Sequence, residues 1–377
     1  MDLASLTDQD RFVSEATADQ PVQGQAVASL RAVAPATPGY ESLLSLATDR
    51  IISLGGVGTP ALSTFTVSSR LRQRDMLSEV DLTPDEIHEV LETADRLKDM
   101  LHSGQPHNYL AGKTLAMFFE HPSTRTRISL QAGMAQLGGQ AIVLNQGDLQ
   151  ISRGETIGDT AQIFSRYVNG IAARVASHDT LLALAEHATV PVYNALSDKY
   201  HPMQSLSDML SLKEQYGSLA GLKLVYVGDG ANNMAASLLL AGAALGVDVV
   251  VATPAVYQPD PDVVTRAKWL ASSAGCTVEV TADPWAAVRD ADAIYTDVHV
   301  SLNHVDGATR AVTLAPYKVT EELMAAAKPS AVFMHCLPMH RGVEVDASVA
   351  DGPQSIIFEQ AENRLHLQKA VLLQTMC

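Results

Sequence analysis

From Asp81 onward the apolar positions follow two different periods. Ile87, Val90, Leu91, Ala94, Leu97 and Leu101 recur at the three- and four-residue spacing of one helix face. Thr83, Pro84 and Glu86 precede them as a hydroxyl N-cap, a proline at the first helical position and a glutamate that reaches back to the cap, so the pattern predicts a helix to about His102. Beyond it, short apolar runs at 114–119, 141–144, 170–174 and 190–193 read as buried strands. Amphipathic helical stretches separate them near 124–137, 157–168 and 180–187. The alternation restarts with strands at 222–227, 247–252, 277–281, 293–296 and 331–334, and a closing helix begins at about Ala361.

Strands that alternate with helices call for parallel sheets covered on both faces. The chain has 377 residues, against roughly 100–200 for one domain. We therefore expect an α/β fold of two similar three-layer domains with parallel sheets, joined by helices. The expected limits are an N-terminal extension over 1–72, a first domain over 73–212 completed by a C-terminal helix at 360–377, and a second domain over 213–359. A hinge is expected near Ser205 to Gly221. The extension mixes small residues and proline without a sustained period, apart from a short helical pattern at 40–52.

Composition narrows the class. With 47% hydrophobic and 18% charged residues the chain has ample apolar surface for two cores. Its 26 basic against 42 acidic residues give a net charge of −16, which excludes a general nucleic-acid or anionic-membrane surface and means that an anionic substrate needs a local arginine cluster. No apolar stretch approaches the roughly 20 residues of a membrane span. Even 234–245 is short and interrupted by Gly242. Cys276, Cys336 and Cys377 form no paired framework, so no disulfide is expected. The first ten residues carry Asp2, Asp8 and Asp10 and no basic lead, so a cytoplasmic protein is expected.

Three motifs carry chemistry. HPSTRTR, His121 to Arg127, sits between a strand and the start of a helix. There free backbone N–H groups and the helix dipole favour an anion, Ser123, Thr124 and Thr126 add hydroxyls, and Arg125 and Arg127 add forked cations. HPMQ, His201 to Gln204, uses a proline turn ahead of a helix to present an imidazole and an amide together, suited to a carbonyl oxygen and an amide NH2. HCLP, His335 to Pro338, follows an apolar strand and precedes His340 and Arg341. Its thiol suits a nucleophile, a metal ligand or a small buried hydrophobe. No CxxC or HExxH spacing surrounds it and no third ligand is evident, so no metal is expected. GDGANNM after the 222–227 strand lacks the GxGxxG spacing of a dinucleotide turn.

In this order the motifs resemble the aspartate/ornithine carbamoyltransferase family, over about 75–373. STRTR and HPxQ are common to that family, while HCLP and the later AENR, Ala361 to Arg364, resemble its ornithine branch. The resemblance implies that Ser123, Thr124, Arg125 and Thr126 hold the phosphate of carbamoyl phosphate, joined by Arg174 and Arg364. It implies that His201, Gln204, Cys336 and the backbone of Leu337 complete the carbamoyl pocket, with Arg174, Thr126 and His201 polarising the carbonyl. Gln150, in GDLQISRGE, matches a residue lent to a neighbouring subunit, which implies a homotrimer with shared sites. Asn233 matches the contact to the amino-acid carboxylate, Asp297 the group that holds the α-amino nitrogen, and Ser301 and Leu302 complete that grip. No cofactor is implied. The expected reaction carbamoylates the side-chain amine of ornithine to give citrulline and phosphate. The same chemistry on an acyl-ornithine, lysine or diamine, or a non-catalytic regulatory relative, are the alternatives.

The chain departs from the pattern in three places. His121 stands where a lysine is usual, DVHVSLN at 297–303 replaces DxWxSMG so that His299 and Asn303 can reshape the acceptor pocket, and the extension has no counterpart.

Overall fold

The computed structural model of the chain describes residues 52–54, 65–67, 70–300 and 306–377. A two-stranded antiparallel pair, β1 (Ile52–Leu54) and β2 (Phe65–Val67), comes first. Then follow α1 (Pro84–His102), β3 (Thr114–Phe119), α2 (Thr124–Gln136), β4 (Gln140–Asn145), α3 (Ile157–Tyr167), β5 (Gly170–Arg174), α4 (His178–His187), β6 (Val192–Leu196) and α5 (Pro202–Tyr216). The second run is β7 (Lys223–Val227), α6 (Asn233–Ala244), β8 (Asp248–Ala252), α7 (Pro261–Ala274), β9 (Val278–Thr281), the single turn α8 (Pro284–Ala287) and β10 (Ala293–Thr296). It closes with α9 (Gly307–Leu314), α10 (Glu321–Ala325), β11 (Val332–His335), α11 (Ala347–Ala350) and α12 (Ile357–Met376).

Two parallel sheets result, a four-stranded one in the order β4-β3-β5-β6 and a five-stranded one in the order β11-β10-β7-β8-β9. The α/β fold with two parallel sheets is thus as the alternation predicts. Successive side chains of a strand face opposite ways, and the cores divide accordingly. Leu115, Met117 and Phe119 of β3 and Leu224 and Tyr226 of β7 enter one continuous core that runs through α1, α5, α6 and α12. Ala116 and Phe118 face a second core under α3 and α4, and Val225 and Val227 a third on the far side of the larger sheet. Helix α1 begins as its cap predicts: the Thr83 hydroxyl accepts from the Glu86 N–H at 3.3 Å, and the Glu86 carboxylate accepts from the Thr83 N–H at 2.8 Å.

Several boundaries differ for identifiable reasons. The strand expected at 190–193 runs instead over Val192–Leu196, because Pro191 has no N–H to pair and the polar Asn194 is satisfied inside the protein. The Asn194 amide donates to the Leu77 and Tyr200 carbonyls. The stretch expected to be a hinge is mostly helix: α5 is buried from Pro202 to Leu212, and the chain turns only at Gly217 and Gly221, both at φ near +80° (79° and 81°), where glycine carries no Cβ penalty. Helix α12 starts at Ile357, four residues before the expected Ala361, and packs on α1, α2 and α5. The helical pattern at 40–52 lies outside the described residues, except that Ile52 opens β1.

Candidate active site

In a parallel sheet, ligands collect where neighbouring strands send the chain in opposite directions, because the two outgoing loops part there. In the smaller sheet that point lies between β3 and β5, since β3 leads outward to β4 and the chain returns on the other side. HPSTRTR leaves the end of β3, and Arg174 ends β5 opposite Phe119. In the larger sheet the point lies between β7 and β10. GDGANN leaves β7 and Asp297 follows β10. Both sets of sequence-predicted residues therefore stand at the positions topology favours for a ligand.

Around the first point, Arg364 on α12 is 3% exposed and joins the motifs. Its Nη2 donates to Thr126 Oγ1 at 2.5 Å and to His201 Nε2 at 2.9 Å. Accepting at Nε2 puts the imidazole proton on Nδ1, a buried atom with no protein partner. Burial first, then the charges of Arg364, Arg174 and Arg125, holds His201 well below the usual imidazole range, so it is a neutral donor. Burial, then the Arg125 charge, lowers Arg174 to about 10, and burial, then Arg174 and Arg125, lowers Arg364 to about 10. None of these three guanidinium groups has a carboxylate ion-pair partner among the described residues, and Arg174 Nε and Arg364 Nε are buried without a hydrogen bond. Buried cations gathered without counter-charge are costly unless an anion completes them. Ser123 holds the N-cap position of α2 in extended conformation, yet its hydroxyl makes no cap bond. Thr124 is exposed, Arg125 half-buried and Arg127 exposed. His121, in the usual lysine position, has a buried Nε2 with no partner.

The second point is acidic and thiol-bearing. Cys336 Sγ donates to Asp297 Oδ1 at 3.1 Å, the Val298 N–H donates to the same oxygen at 2.8 Å, and Asn232 Nδ2 donates to Oδ2 at 3.1 Å. Burial, then the Asp297 charge, pushes the Cys336 thiol well above its ordinary range, so it is a neutral S–H donor and a poor nucleophile. Asp297, His335 and Cys336 offer ligand atoms within 4.8 Å of one another, so the third ligand missing from the local spacing arrives from β10. Asn233 Nδ2 donates to the Ser197 carbonyl at 2.7 Å, tying the loop after β7 to the loop after β6. Leu337 has φ +59, a strained conformation for a branched residue, and turns its N–H onto His335 Nδ1 at 2.8 Å. The two points face a common space: burial lowers Arg125, and the nearby charge of Asp297 works against that shift.

Other expected residues stand apart. Gln150 is exposed between β4 and α3, where it accepts from Arg153 Nη1 at 3.4 Å. That hydrogen bond lies outside the arginine cluster. Ser301, Leu302 and Asn303 lie outside the described residues. His299 is 1% exposed, packs beside Gly228, and burial lowers it to about 4. His340 is exposed, and Arg341 pairs with Asp351 at the surface.

Residues 74–214 match the carbamoyl-phosphate-binding domain of aspartate/ornithine carbamoyltransferases, and residues 220–375 match their Asp/Orn-binding domain. The chain belongs to the aspartate/ornithine carbamoyltransferase family. Its family relatives include the ornithine carbamoyltransferase of Thermococcus kodakarensis, 51% identical over 81% of this chain and 97% of that protein. The ornithine carbamoyltransferase of Pyrococcus abyssi is 52% identical over 80% and 95%. Among solved structures, ornithine carbamoyltransferase from Pyrococcus furiosus aligns at TM-score 0.79 and 51% identity, over 81% of this chain and 98% of that one. The Thermus thermophilus ornithine carbamoyltransferase aligns at 0.71 and 43%, over 79% and 97%.

Within this carbamoyltransferase, three supporting residues are not among the expected site residues. Asp208 accepts from Gln204 Nε2 at 2.7 Å and from Gln360 Nε2 at 2.9 Å, and Gln360 Oε1 accepts from the His335 N–H at 2.9 Å. Burial raises Asp208 to about 7. The available signal was helical spacing: Asp208 lies four residues after Gln204, and Gln360 four before Arg364, so each pair shares a face. Asn232, beside the named Asn233, is the residue that holds Asp297.

Proposed function

We propose that this chain transfers the carbamoyl group of carbamoyl phosphate to the side-chain amine of ornithine, giving citrulline and phosphate in arginine biosynthesis. The observation that carries the donor half is the set of three guanidinium groups, Arg125, Arg174 and Arg364, gathered around a neutral histidine and a buried threonine with no carboxylate ion-pair partner among the described residues. The dianion of carbamoyl phosphate supplies that charge. Two family-domain matches and relatives near 50% identity that are named ornithine carbamoyltransferase carry the acceptor half, one of them, from Pyrococcus furiosus, being called anabolic.

The reaction needs positioning and charge stabilisation more than covalent help. Ser123, Thr124, Arg125 and the free N–H groups of α2 take the phosphoryl oxygens. Arg174, Thr126 and the Nδ1–H of His201 face the carbonyl oxygen as it becomes an oxyanion. Gln204, held by Asp208, and the loop at Cys336 and Leu337 take the carbamoyl NH2. Asp297 receives the α-ammonium of the acceptor, Asn233 its carboxylate, and Ser301 and Leu302 belong to the same grip. The neutral Cys336 orients the attacking amine and forms no acyl-enzyme.

The division into a donor domain over 73–212 with 360–377 and an acceptor domain over 213–359 belongs to this reading, as does a homotrimer in which Gln150 completes a neighbour's site. The exposure of Gln150 supports the latter. The three unpaired cysteines support residence in the cytoplasm. Among the described residues no helix is long and apolar enough to cross a membrane.

The deciding experiment incubates the purified protein with carbamoyl phosphate and a panel of amines, following phosphate and the ureido product. Ornithine is expected to give citrulline. Product from another amine alone refutes the acceptor, and absence of any carbamoyl phosphate binding refutes the whole reading.

A further inference from the structure

A second group of side chains has ligand chemistry that carbamoyl transfer does not use. Glu362 and His366 lie one turn apart on α12, and His102, the last residue of α1, reaches across to them. His102 Nε2 is 2.7 Å from Glu362 Oε1, and His366 Nε2 is 3.7 Å from the same oxygen. The two imidazole rings meet edge to face with centroids 6.1 Å apart. His366 is fully buried, and neither of its ring nitrogens has a hydrogen-bond partner among the described residues. Leaving a buried polar group without a partner is costly, yet this one is aimed at a carboxylate shared with a second histidine.

We propose that His102, Glu362 and His366 bind one divalent transition-metal ion of the zinc type, which ties the end of α1 to α12. Two imidazole nitrogens and a carboxylate oxygen form the donor set of a three-ligand zinc site with a fourth position open to solvent. The three ligand atoms lie within 4.8 Å of one another. Bonds of about 2.0–2.1 Å in a tetrahedron place ligand atoms about 3.3 Å apart. The 3.7 Å pair must close slightly, and the 2.7 Å pair must open as the ion replaces the hydrogen bond. The His102 side chain is 54% exposed and has the freedom to do so. Burial, then Lys369 and Lys98, lowers His366 to about 3, so it is a neutral ligand at neutral pH. The C-terminal dipole of α1 adds partial negative charge beside His102.

The neighbouring cations set the kind of metal. Lys98 Nζ is held by Glu214 and Asn363, and Lys369 Nζ by the Leu97 carbonyl and His107 Nε2. Their charge works against a cation, so hard ions that depend on several anionic oxygens are disfavoured relative to those that bond strongly to imidazole. Arg364 lies between the two ligands on the same stretch of α12, so the ion steadies the turn that presents the phosphate-facing guanidinium.

The cluster of Asp297, His335 and Cys336 is a second place for a soft metal, and the test removes it first. Full-length Cys336→Ala protein, stripped with chelator, is titrated with Co2+ and followed by its visible ligand-field bands, and with Zn2+ by calorimetry. One ion per chain is expected. Adding His102→Ala or Glu362→Gln is expected to weaken binding by about tenfold or more, and the metal-dependent rise in melting temperature is expected to disappear with it. Circular dichroism confirms that each variant is folded. Absence of binding in Cys336→Ala protein, or unchanged affinity in both double variants, overturns the proposal.

Discussion

Arg364 touches Thr126 and His201 with one nitrogen and so links three separate stretches of sequence in a single pair of contacts. Arg174 ends β5, and its Nε, like that of Arg364, is buried without a hydrogen bond among the described residues. Removing one oxyanion donor costs about 10²–10³ in turnover. Arg174→Ala is therefore expected to lower kcat by that factor, measured as citrulline formed at saturating substrates. Cys336→Ser keeps a donor to Asp297 and is expected to retain more activity than Cys336→Ala, with the difference falling on KM for the amine. If the two variants are equal, the thiol does not orient the acceptor. At this scale the sequence was readable where chemistry is contiguous, as in HPSTRTR and HCLP. For Asp208 and Gln360 it left only helical spacing as a trace, because their work is done through a neighbour one helical turn away.

Elements were legible wherever the periodicity was unbroken. Helix α1 follows from its cap and its stripe, and Thr83→Ala is expected to lower unfolding free energy by about 1 kcal/mol, measured by urea denaturation. Strand ends were less so, because Asn194 and His335 are polar residues buried with satisfied backbone N–H groups, and polarity in a sequence reads as a boundary. The turn at Glu79–Asp81 shows a third case. Glu79 is 1% exposed and accepts from the Ser205 hydroxyl of α5 at 2.7 Å, and burial raises its carboxyl to about 7. A folded-state pKa raised from 4.5 means that the native form binds an extra proton between about 4.5 and 7. That contribution to stability is present below pH 4.5 and is lost as pH rises towards 7. Glu79→Gln is expected to abolish the loss, so the change in unfolding free energy from pH 4.5 to 7 becomes more favourable than in the wild type. Equal slopes for the two proteins exclude the buried acid. His178 and His201, which burial lowers, titrate the other way but are common to both proteins, so the difference isolates Glu79.

At the scale of the whole molecule, two sheets each place their ligand-binding point towards a shared space, which repetition of the strand–helix pattern implied but could not locate. Spatial strand order decided it, and order within a parallel sheet has no local signature. Subunit sharing is testable at this scale. Gln150→Ala and Arg125→Ala chains, each inactive alone, are mixed, dissociated and reassembled. Random trimers with sites built between neighbours regain about a quarter of full activity, since one site in each mixed trimer is intact. No recovery means that each chain keeps its own site.

The bond between Thr126 and Arg364 spans 238 residues. During synthesis the strands β3 to β6 and their helices emerge long before α12, so a nascent chain can build the smaller sheet while Thr126 and His201 still lack their Arg364 partner. The groove left for α12 is then lined by the apolar faces of α1 and α5 and is open to chaperones or to aggregation. Prematurely terminated chains that stop short of residue 357 are accordingly expected to be insoluble or rapidly degraded, however well their first sheet has formed.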